Sequence, residues 1–266
     1  MLKAVIFDIG GVVVGSPLFA INAYEKELGL PFQYLNVAIT AQGYNGAFQR
    51  FERNEIDLYT FYKKFGDELS NVEANNRSFA QFCQSRGQET PKLPTELHVD
   101  GRELFGLMMR KSSAVDPKMK NAIQKLKASG RFTVAALTNN FAPPTHVSGQ
   151  AGLDGKKTPT LEEELEHLGL GQRHAEMRKM FDFYIESAVV GKRKPDPDFY
   201  RYALDLLKVK ADEVVFLDDI GPNLKSARQL GIHTIRVDSS NSTPALQELS
   251  RLTGLELLND AVSAKL

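Results

Sequence analysis

Three apolar runs of the chain each stop at residues that can bind a metal ion or a phosphate group. They are Asp8 after the run at 4–7, Thr138 with Asn139 after the run at 132–137, and Asp218 with Asp219 after the run at 214–217. Because the carboxyl ends of parallel strands meet at one edge of a sheet, we expect these side chains to lie close together. Three carboxylates at one edge repel one another unless a cation lies beside them. Such hard oxygen ligands suit Mg²⁺.

A lysine and two glycines add groups that attract anions. Lys194 precedes Pro195 in the segment GKRKPDPDFY, and its ammonium group can neutralise carboxylate or phosphate charge. Gly10 and Gly11 follow shortly after Asp8, where a backbone without side chains can approach an anion and aim amide groups at it. Carboxylates, a hydroxyl, an amide and a lysine at one edge would equip a site for phosphoryl transfer, in which catalysis is mostly positioning and charge neutralisation.

The rest of the chain predicts two kinds of structure. From Asp116 onward, strand and helix patterns alternate, which indicates a parallel, doubly wound sheet. Between the first strand and about residue 111 the apolar spacing is helical, for example after the predicted N-cap Asp57. We therefore predict a Rossmann-like α/β core built from residues 1–15 and 112–266, with an α-helical cap subdomain, residues 16–111, inserted after the first strand.

One long stretch of the second half fits neither pattern well. Residues 141–179 form a long, mixed segment that predicts an excursion near the site or a mobile loop. Its acidic run, residues 162–164, is typical of an exposed helix face.

Composition and charge narrow the function classes. A chain of 266 residues suits one α/β domain and a smaller one. Because 33 basic residues balance 33 acidic ones, the composition predicts no sequence-independent binding to nucleic acid or to an anionic membrane.

Cys83 is the only cysteine, so an intrachain disulfide is excluded and a reducing compartment is expected. Asp8 interrupts the N-terminal apolar run, which argues against a signal peptide. We predict a cytoplasmic protein.

Four segments together resemble the motifs of a known family. They are FDIGGVV at 7–13, LTNN at 137–140, GKRKPDPDFY at 191–200 and FLDDIGPNLKSARQLGI at 216–232. In order and spacing they resemble the four motifs of the haloacid dehalogenase superfamily of hydrolases, in which a helical cap is inserted between the first two. Within it the chain most resembles the phosphatase-type N-terminal domain of soluble epoxide hydrolases and the similar domain of certain acyl-CoA dehydrogenase relatives.

The resemblance implies a Mg²⁺-dependent phosphatase that cleaves a small organic phosphate monoester. Asp8 would be the nucleophile that forms an aspartyl-phosphate, while Thr138 and Lys194 would be the other catalytic residues. The phosphate oxygens would be bound by Gly11, Thr138, Asn139 and Lys194. The magnesium ion would be held by Asp8, the Gly10 carbonyl, Asp218 and Asp219.

Gly10 departs from the family pattern, because the phosphatases usually carry a second aspartate at this position. That carboxylate protonates the leaving group and then activates water, which contributes on the order of 10²–10⁴ in rate. Three functions therefore stay open. One is a slow phosphatase that uses another acid, for which His146 is a hypothetical replacement. The second is a dehalogenase-type hydrolase with Asp8 as an alkylated nucleophile and no need of Mg²⁺. The third is a catalytically weak binding or regulatory protein.

Overall fold

The computed structural model describes residues 1–111, 114–147, 159–170 and 176–258. In chain order its main elements are β1 (Ala4–Phe7), α1 (Pro17–Glu27), α2 (Tyr34–Ala41), α3 (Ala47–Glu52), α4 (Leu58–Ser70), α5 (Val72–Ser85), α6 (Gly101–Lys111), α7 (Pro117–Ala128), β2 (Thr133–Thr138), α8 (Leu161–His167), β3 (Phe183–Glu186), α9 (Ser187–Val190), α10 (Pro197–Leu207), β4 (Val214–Asp218), α11 (Gly221–Gln229), β5 (His233–Arg236) and α12 (Thr243–Thr253).

The chain divides into two compact units. The first holds the described residues within Met1–Ser16, Ser113–Asn140 and Gln172–Leu266, and the second holds those within Pro17–Ser112 and Phe141–Gly171. Within the described part of the chain, no helix combines the length and the apolar composition that crossing a lipid bilayer requires.

The first unit is built on a five-stranded parallel sheet in the order β3-β2-β1-β4-β5. Strand β1 lies in the middle, where Phe7 is paired with Ala136 of β2 and Leu217 of β4. Because the strands are parallel, the residues that follow their last positions share one edge. The predicted Rossmann-like α/β core is confirmed.

Alternate residues of the central strands enter two separate apolar layers. Val5 and Phe7 belong to the layer packed by α7 and α12, whereas Ala4 and Ile6 belong to the layer packed by α10 and α11. Each central strand is therefore covered on both faces, which explains why its sequence is a continuous apolar run.

The second unit is helical and contains an aromatic cluster in its core. Phe51 and Phe61 stack with their ring centroids 4.2 Å apart, and Phe105 meets Phe61 edge-on at 4.9 Å. Phe141 stacks on Phe51 at 5.3 Å and contacts Phe105 edge-on at 5.0 Å. The N-cap predicted at Asp57 is present, since its carboxylate accepts hydrogen bonds from the backbone amides of Tyr59 and Thr60.

The segment after Phe141 groups with the helical unit, although the sequence assigned it to the α/β core. Its helix α8 buries Glu164 completely, so the acidic run is not exposed at this position. The Glu164 carboxylate accepts hydrogen bonds from the Tyr62 hydroxyl (2.7 Å) and from Arg102 Nη2 (2.8 Å). Partners so distant along the chain leave no periodic pattern, so the sequence alone does not reveal the contacts of this segment with the helical unit.

The aromatic cluster yields a stability prediction. Phe61 is fully buried, so Phe61→Ala should lower the free energy of unfolding by about 3–5 kcal/mol through lost burial and the cavity left behind. Phe32→Ala is the matched control, because Phe32 is 67% exposed and its loss should change stability by about 0.5 kcal/mol or less. Urea unfolding followed by circular dichroism measures both, and similar losses in the two variants would contradict the proposed packing.

Candidate active site

Lys194 joins two of the predicted carboxylates. Its Nζ atom lies 2.8 Å from Asp8 Oδ1 at the end of β1 and 2.8 Å from Asp218 Oδ2 at the end of β4. All three side chains are buried, with Lys194 only 1% exposed and Asp218 not exposed at all. A buried charge is costly unless it is paired and hydrogen-bonded, so the ammonium group offsets the cost of burying the two carboxyl groups beside it.

Asn139 fixes the backbone that carries this lysine. Its Nδ2 atom donates to the Lys194 carbonyl (3.0 Å), and the Lys194 amide donates to Asn139 Oδ1 (2.8 Å). Both ends of the Asn139 side-chain amide are therefore occupied by protein. The sequence predicted that Asn139 binds phosphate, but the structure places its side chain against the Lys194 backbone.

Asp218 has hydrogen-bond donors on both of its carboxylate oxygens. In addition to Lys194, Asn223 Nδ2 lies 3.1 Å from each oxygen, and the Ile220 amide donates to Oδ1 (2.8 Å). The Tyr200 hydroxyl in turn donates to the Asn223 carbonyl (2.9 Å) and fixes the first turn of α11. Asp218 is thus a fully satisfied carboxylate that holds Lys194 in place.

Asp219, unlike Asp218, has a hydrogen-bond donor on only one of its carboxylate oxygens in the described structure. The Ser239 hydroxyl donates to Asp219 Oδ2 (3.1 Å), whereas Oδ1 is buried and has no hydrogen-bond partner among the described residues. The carboxylate packs directly on the Gly11 backbone, where a Cβ would lie 2.2 Å from Oδ2. Gly11 has φ +79°, a conformation that suits glycine, so both the backbone shape and the close approach require this residue.

The charges at this edge shift one another's pKa values. Burial raises the pKa of Asp8 well above its ordinary value, although Lys194 opposes the shift. Burial, assisted by Asp218, raises the pKa of Asp219 to about 6. Burial alone would lower the pKa of Lys194, but the neighbouring Asp218 and Asp8 raise it, so the lysine stays charged at neutral pH. In the described part of the chain, three carboxyl groups thus meet the ammonium group of Lys194 at this edge.

The residues present fit a hard divalent cation. Asp8, Asp218 and Asp219 each offer one carboxylate oxygen, and these atoms lie within 4.8 Å of one another. Asp219 Oδ1 is a buried acceptor without a partner among the described residues, and the Ile9 amide and the Lys194 ammonium group both contact Asp8 through Oδ1. Carboxylate oxygens are the ligands that Mg²⁺ takes in proteins. Asp8 and Asp219 are the better candidates for direct ligands, since both oxygens of Asp218 are already hydrogen-bonded.

Of the other predicted residues, Thr138 and Gly10 lie at the carboxyl ends of β2 and β1, whereas His146 does not belong to the first unit. Thr138 is buried at the end of β2, and its Oγ1 donates to the Asn139 carbonyl at 3.3 Å. Gly10 forms a parallel bridge with Val14, which closes the turn after Asp8. His146, the hypothetical replacement acid, is exposed and belongs to the helical unit.

Sequence reasoning missed three groups that hold this edge together. Asn223 contacts Asp218 at the end of β4, and Ser239 contacts Asp219 directly after it. The third group is at the end of β3, where Ser187 Oγ accepts from the Asn140 amide (2.9 Å) and donates to the Asn140 carbonyl (3.0 Å). Both Ser187 and Ser239 lie just beyond strands, so the strand-end argument used for the aspartates would have found them if extended to β3 and β5.

Comparison with known proteins identifies the family. The model of the haloacid dehalogenase-like hydrolase family matches residues 2–231. The chain belongs to this family. Bifunctional epoxide hydrolase 2 of Sus scrofa is 32% identical over 258 residues, which are 97% of this chain and 40% of that protein. Acyl-CoA dehydrogenase family member 10 of Mus musculus is 31% identical over 257 residues, which are 96% of this chain and 19% of that protein. The chain thus spans less than half of either relative.

A shorter relative matches along nearly its whole length. Sesquiterpene phosphatase astK of Aspergillus oryzae is 25% identical over 253 residues, or 95% of this chain and 97% of that protein. Among solved structures, a HAD-like family hydrolase of Porphyromonas gingivalis matches with a TM-score of 0.51 and 18% identity, covering 94% of this chain and 98% of that one. A dehalogenase matches with a TM-score of 0.50 and 20% identity, covering 94% and 96%. These two structures support the fold of the family.

The ion pairs of Lys194 with Asp8 and Asp218 yield a prediction for a variant that lacks the lysine. Lys194→Met leaves Asp8 and Asp218 buried without their cation, which should lower the free energy of unfolding by about 3–5 kcal/mol at pH 8. Because Lys194 opposes the rise that burial causes in the pKa of Asp8, loss of the ammonium group should raise the folded-state pKa of Asp8 further. A carboxyl group whose pKa is raised in the folded state favours folding at low pH, and this contribution is lost as pH rises through that pKa. The destabilisation of Lys194→Met should therefore be smaller at pH 5 than at pH 8.

Lys192→Met is the matched control, since Lys192 lies two residues away and is only half-buried. It should change stability by about 0.5 kcal/mol or less at either pH. Urea unfolding at both pH values measures these differences. A Lys194→Met variant as stable as the control, or equally destabilised at pH 5 and pH 8, would contradict the shared ion pair.

Proposed function

We propose that this hydrolase is a Mg²⁺-dependent phosphatase of small organic phosphate monoesters, with Asp8 as the nucleophile. The observation that carries the proposal is the pairing of a buried lysine between Asp8 and Asp218 with an unpartnered, buried oxygen on Asp219. In this arrangement Asp218 would hold the lysine, Asp8 would act as the nucleophile, and Asp219 would bind the cation. The name of the full-length relative, a sesquiterpene phosphatase, supports phosphatase chemistry.

The proposed reaction has two steps. An Asp8 carboxylate oxygen attacks phosphorus, the bond from phosphorus to the alcohol oxygen breaks, and that oxygen leaves with the electron pair and takes a proton from water. Water then attacks the phosphorus of the aspartyl-phosphate, which releases inorganic phosphate and restores the Asp8 carboxylate. Dividing hydrolysis in this way replaces one difficult step by two easier ones.

Each neighbour of Asp8 has a defined part in this scheme. Lys194, 2.8 Å from Asp8 Oδ1, would neutralise the charge that develops on the phosphoryl oxygens. Thr138 would donate a hydrogen bond to the phosphoryl group, and Gly11 would let the backbone approach it. Asn139 would act through Lys194, because its side chain is bonded to the lysine backbone. When bound, Mg²⁺ would be held by Asp8 and Asp219, with the Gly10 carbonyl, and would supply charge neutralisation.

Gly10 sets the kind of substrate that the site would handle. A glycine cannot protonate the departing alcohol oxygen, so esters whose alcohol leaves easily as an anion should react faster than alkyl phosphates.

The single buried cysteine, Cys83, supports the accompanying proposal of a reducing compartment, such as the cytoplasm.

A second candidate follows from the same glycine. Displacement of a halide by Asp8 needs no acid at position 10, so a dehalogenase-type reaction is compatible with Gly10. In that reaction an Asp8 oxygen attacks carbon and the halide leaves with the bonding electrons, which forms an ester on Asp8. Water then attacks the carbonyl carbon of this ester, the bond from that carbon to the alkyl oxygen breaks, and the alcohol leaves while the Asp8 carboxylate is restored. In water labelled with ¹⁸O, one turnover would then place label in Asp8, whereas the phosphatase would place it in released phosphate. The unpartnered Asp219 oxygen favours the phosphatase, which needs the cation.

A panel of phosphate monoesters tests the proposal directly. We expect phosphate release that requires Mg²⁺, is lost in Asp8→Asn, and is faster for aryl than for alkyl esters. Gly10→Asp adds a carboxylate beside the nucleophile and should raise the rate on alkyl esters by roughly 10²–10⁴ if no other acid serves. Steady-state phosphate release, with and without a chelator, is measured for the wild type and both variants.

Two outcomes would reject the proposal in different ways. Release that persists in Asp8→Asn would exclude Asp8 as the nucleophile. No release by the wild type on any ester, together with halide release from a 2-haloacid, would favour the dehalogenase-type reaction.

A further inference from the structure

Ser239 lies in the loop after β5, outside the four motifs that resemble the family, and contacts one of the candidate metal ligands. Its hydroxyl donates to Asp219 Oδ2 at 3.1 Å. We propose that Ser239 is a positioning residue that orients the Asp219 carboxylate, so that Oδ1 alone binds the divalent cation and the site prefers Mg²⁺ to Ca²⁺. This inference rests on the metal site of the proposed function.

The loop that carries Ser239 is held at both ends. The Val237 amide donates to the Asp218 carbonyl (3.0 Å), which ties the start of the loop to β4. Beyond it, Asp238 Oδ1 accepts from the Ser240 amide (2.8 Å) in a turn that the side chain closes. The Ser242 hydroxyl donates to Asp116 Oδ2 (2.6 Å), the carboxylate that also caps α7. The Ser239 hydroxyl is therefore presented from a fixed backbone.

Gly11 holds the Asp219 carboxylate by close packing. A Cβ built on Gly11 would lie 2.2 Å from Oδ2, 2.6 Å from Cγ and 3.0 Å from Oδ1, so the whole carboxylate rests against this backbone. With Oδ2 also bonded to Ser239, rotation of the carboxylate about its Cβ–Cγ bond would break a hydrogen bond. The two oxygens are thereby made unequal, and Oδ1 is the one without a partner in the described structure.

This inequality bears on which cation the site selects. Calcium accepts carboxylates that bind through one or both oxygens and takes six to eight ligands, whereas magnesium demands near-octahedral geometry with short bonds. A carboxylate with one oxygen engaged by Ser239 is restricted to binding through the other. Hydrogen bonds of this kind to metal ligands commonly change metal affinity by roughly 10–100-fold.

Ser239 could instead serve only to satisfy a partly buried carboxylate, without effect on metal binding. The two roles differ in cation selectivity, because a hydroxyl that merely satisfies Asp219 would leave the ratio of Mg²⁺ to Ca²⁺ affinity unchanged. The chain offers a matched control in Ser240, which lies next along the same loop and donates to Asp238 Oδ1 (2.6 Å).

Isothermal titration calorimetry of the full chain with MgCl₂ and with CaCl₂ tests the proposal without measuring turnover. The variants are Ser239→Ala, Ser239→Thr, Ser240→Ala and Asp219→Asn, each checked for the wild-type circular dichroism spectrum and melting temperature. We expect Ser239→Ala to weaken Mg²⁺ binding by roughly 10–100-fold and Ca²⁺ binding by less. Ser239→Thr, which keeps the hydroxyl, and Ser240→Ala should bind as the wild type does.

The outcomes separate this inference from the proposed function. If Asp219→Asn loses Mg²⁺ binding while Ser239→Ala binds both cations within twofold of the wild type, Ser239 has no positioning role. Equal weakening of Mg²⁺ and Ca²⁺ binding in Ser239→Ala would also overturn the selectivity. If the wild type binds neither cation, the metal site itself is rejected, and this inference with it.

Discussion

The charge on Lys194 is the feature on which the candidate active site depends. One ammonium group lies 2.8 Å from carboxylates at the ends of two neighbouring strands, in a position that water hardly reaches. Without it, the central edge of the sheet would hold two buried carboxylates in mutual repulsion. The surrounding residues can be understood as supports for this one contact, because Asn139 holds the lysine backbone and Asn223 completes the hydrogen bonds of Asp218.

Asp218, the last residue of β4, and Asp219, which follows it, have different roles in the candidate site. Asp218 is bonded on both oxygens and serves to hold Lys194, whereas Asp219 keeps one oxygen without a partner in the described structure. Gly11 and Ser239 constrain that carboxylate from the turns after β1 and β5. Elements far apart in sequence thus converge on one carboxylate because parallel strands bring their ends to a common edge.

The sequence could predict the strands and the residues at their ends, because runs buried on both faces followed by aspartate or threonine are locally distinctive. It could not predict the partner of the Asn139 side chain, since either phosphate or a backbone can satisfy an amide. It also misplaced Glu164, whose neighbours in an acidic run are exposed while it is buried against Tyr62 and Arg102. Such pairings depend on residues many positions away and leave no periodic pattern.

The most direct measurement is mass spectrometry of the protein quenched in acid during turnover of an aryl phosphate with Mg²⁺. Because Gly10 offers no carboxylate to activate water, the covalent intermediate should persist long enough to be trapped. The predicted result is one phosphoryl group on the peptide that contains Asp8, and none on that peptide in Asp8→Asn. Phosphate release without a phosphorylated Asp8, or with the group on another residue, would contradict the proposed reaction.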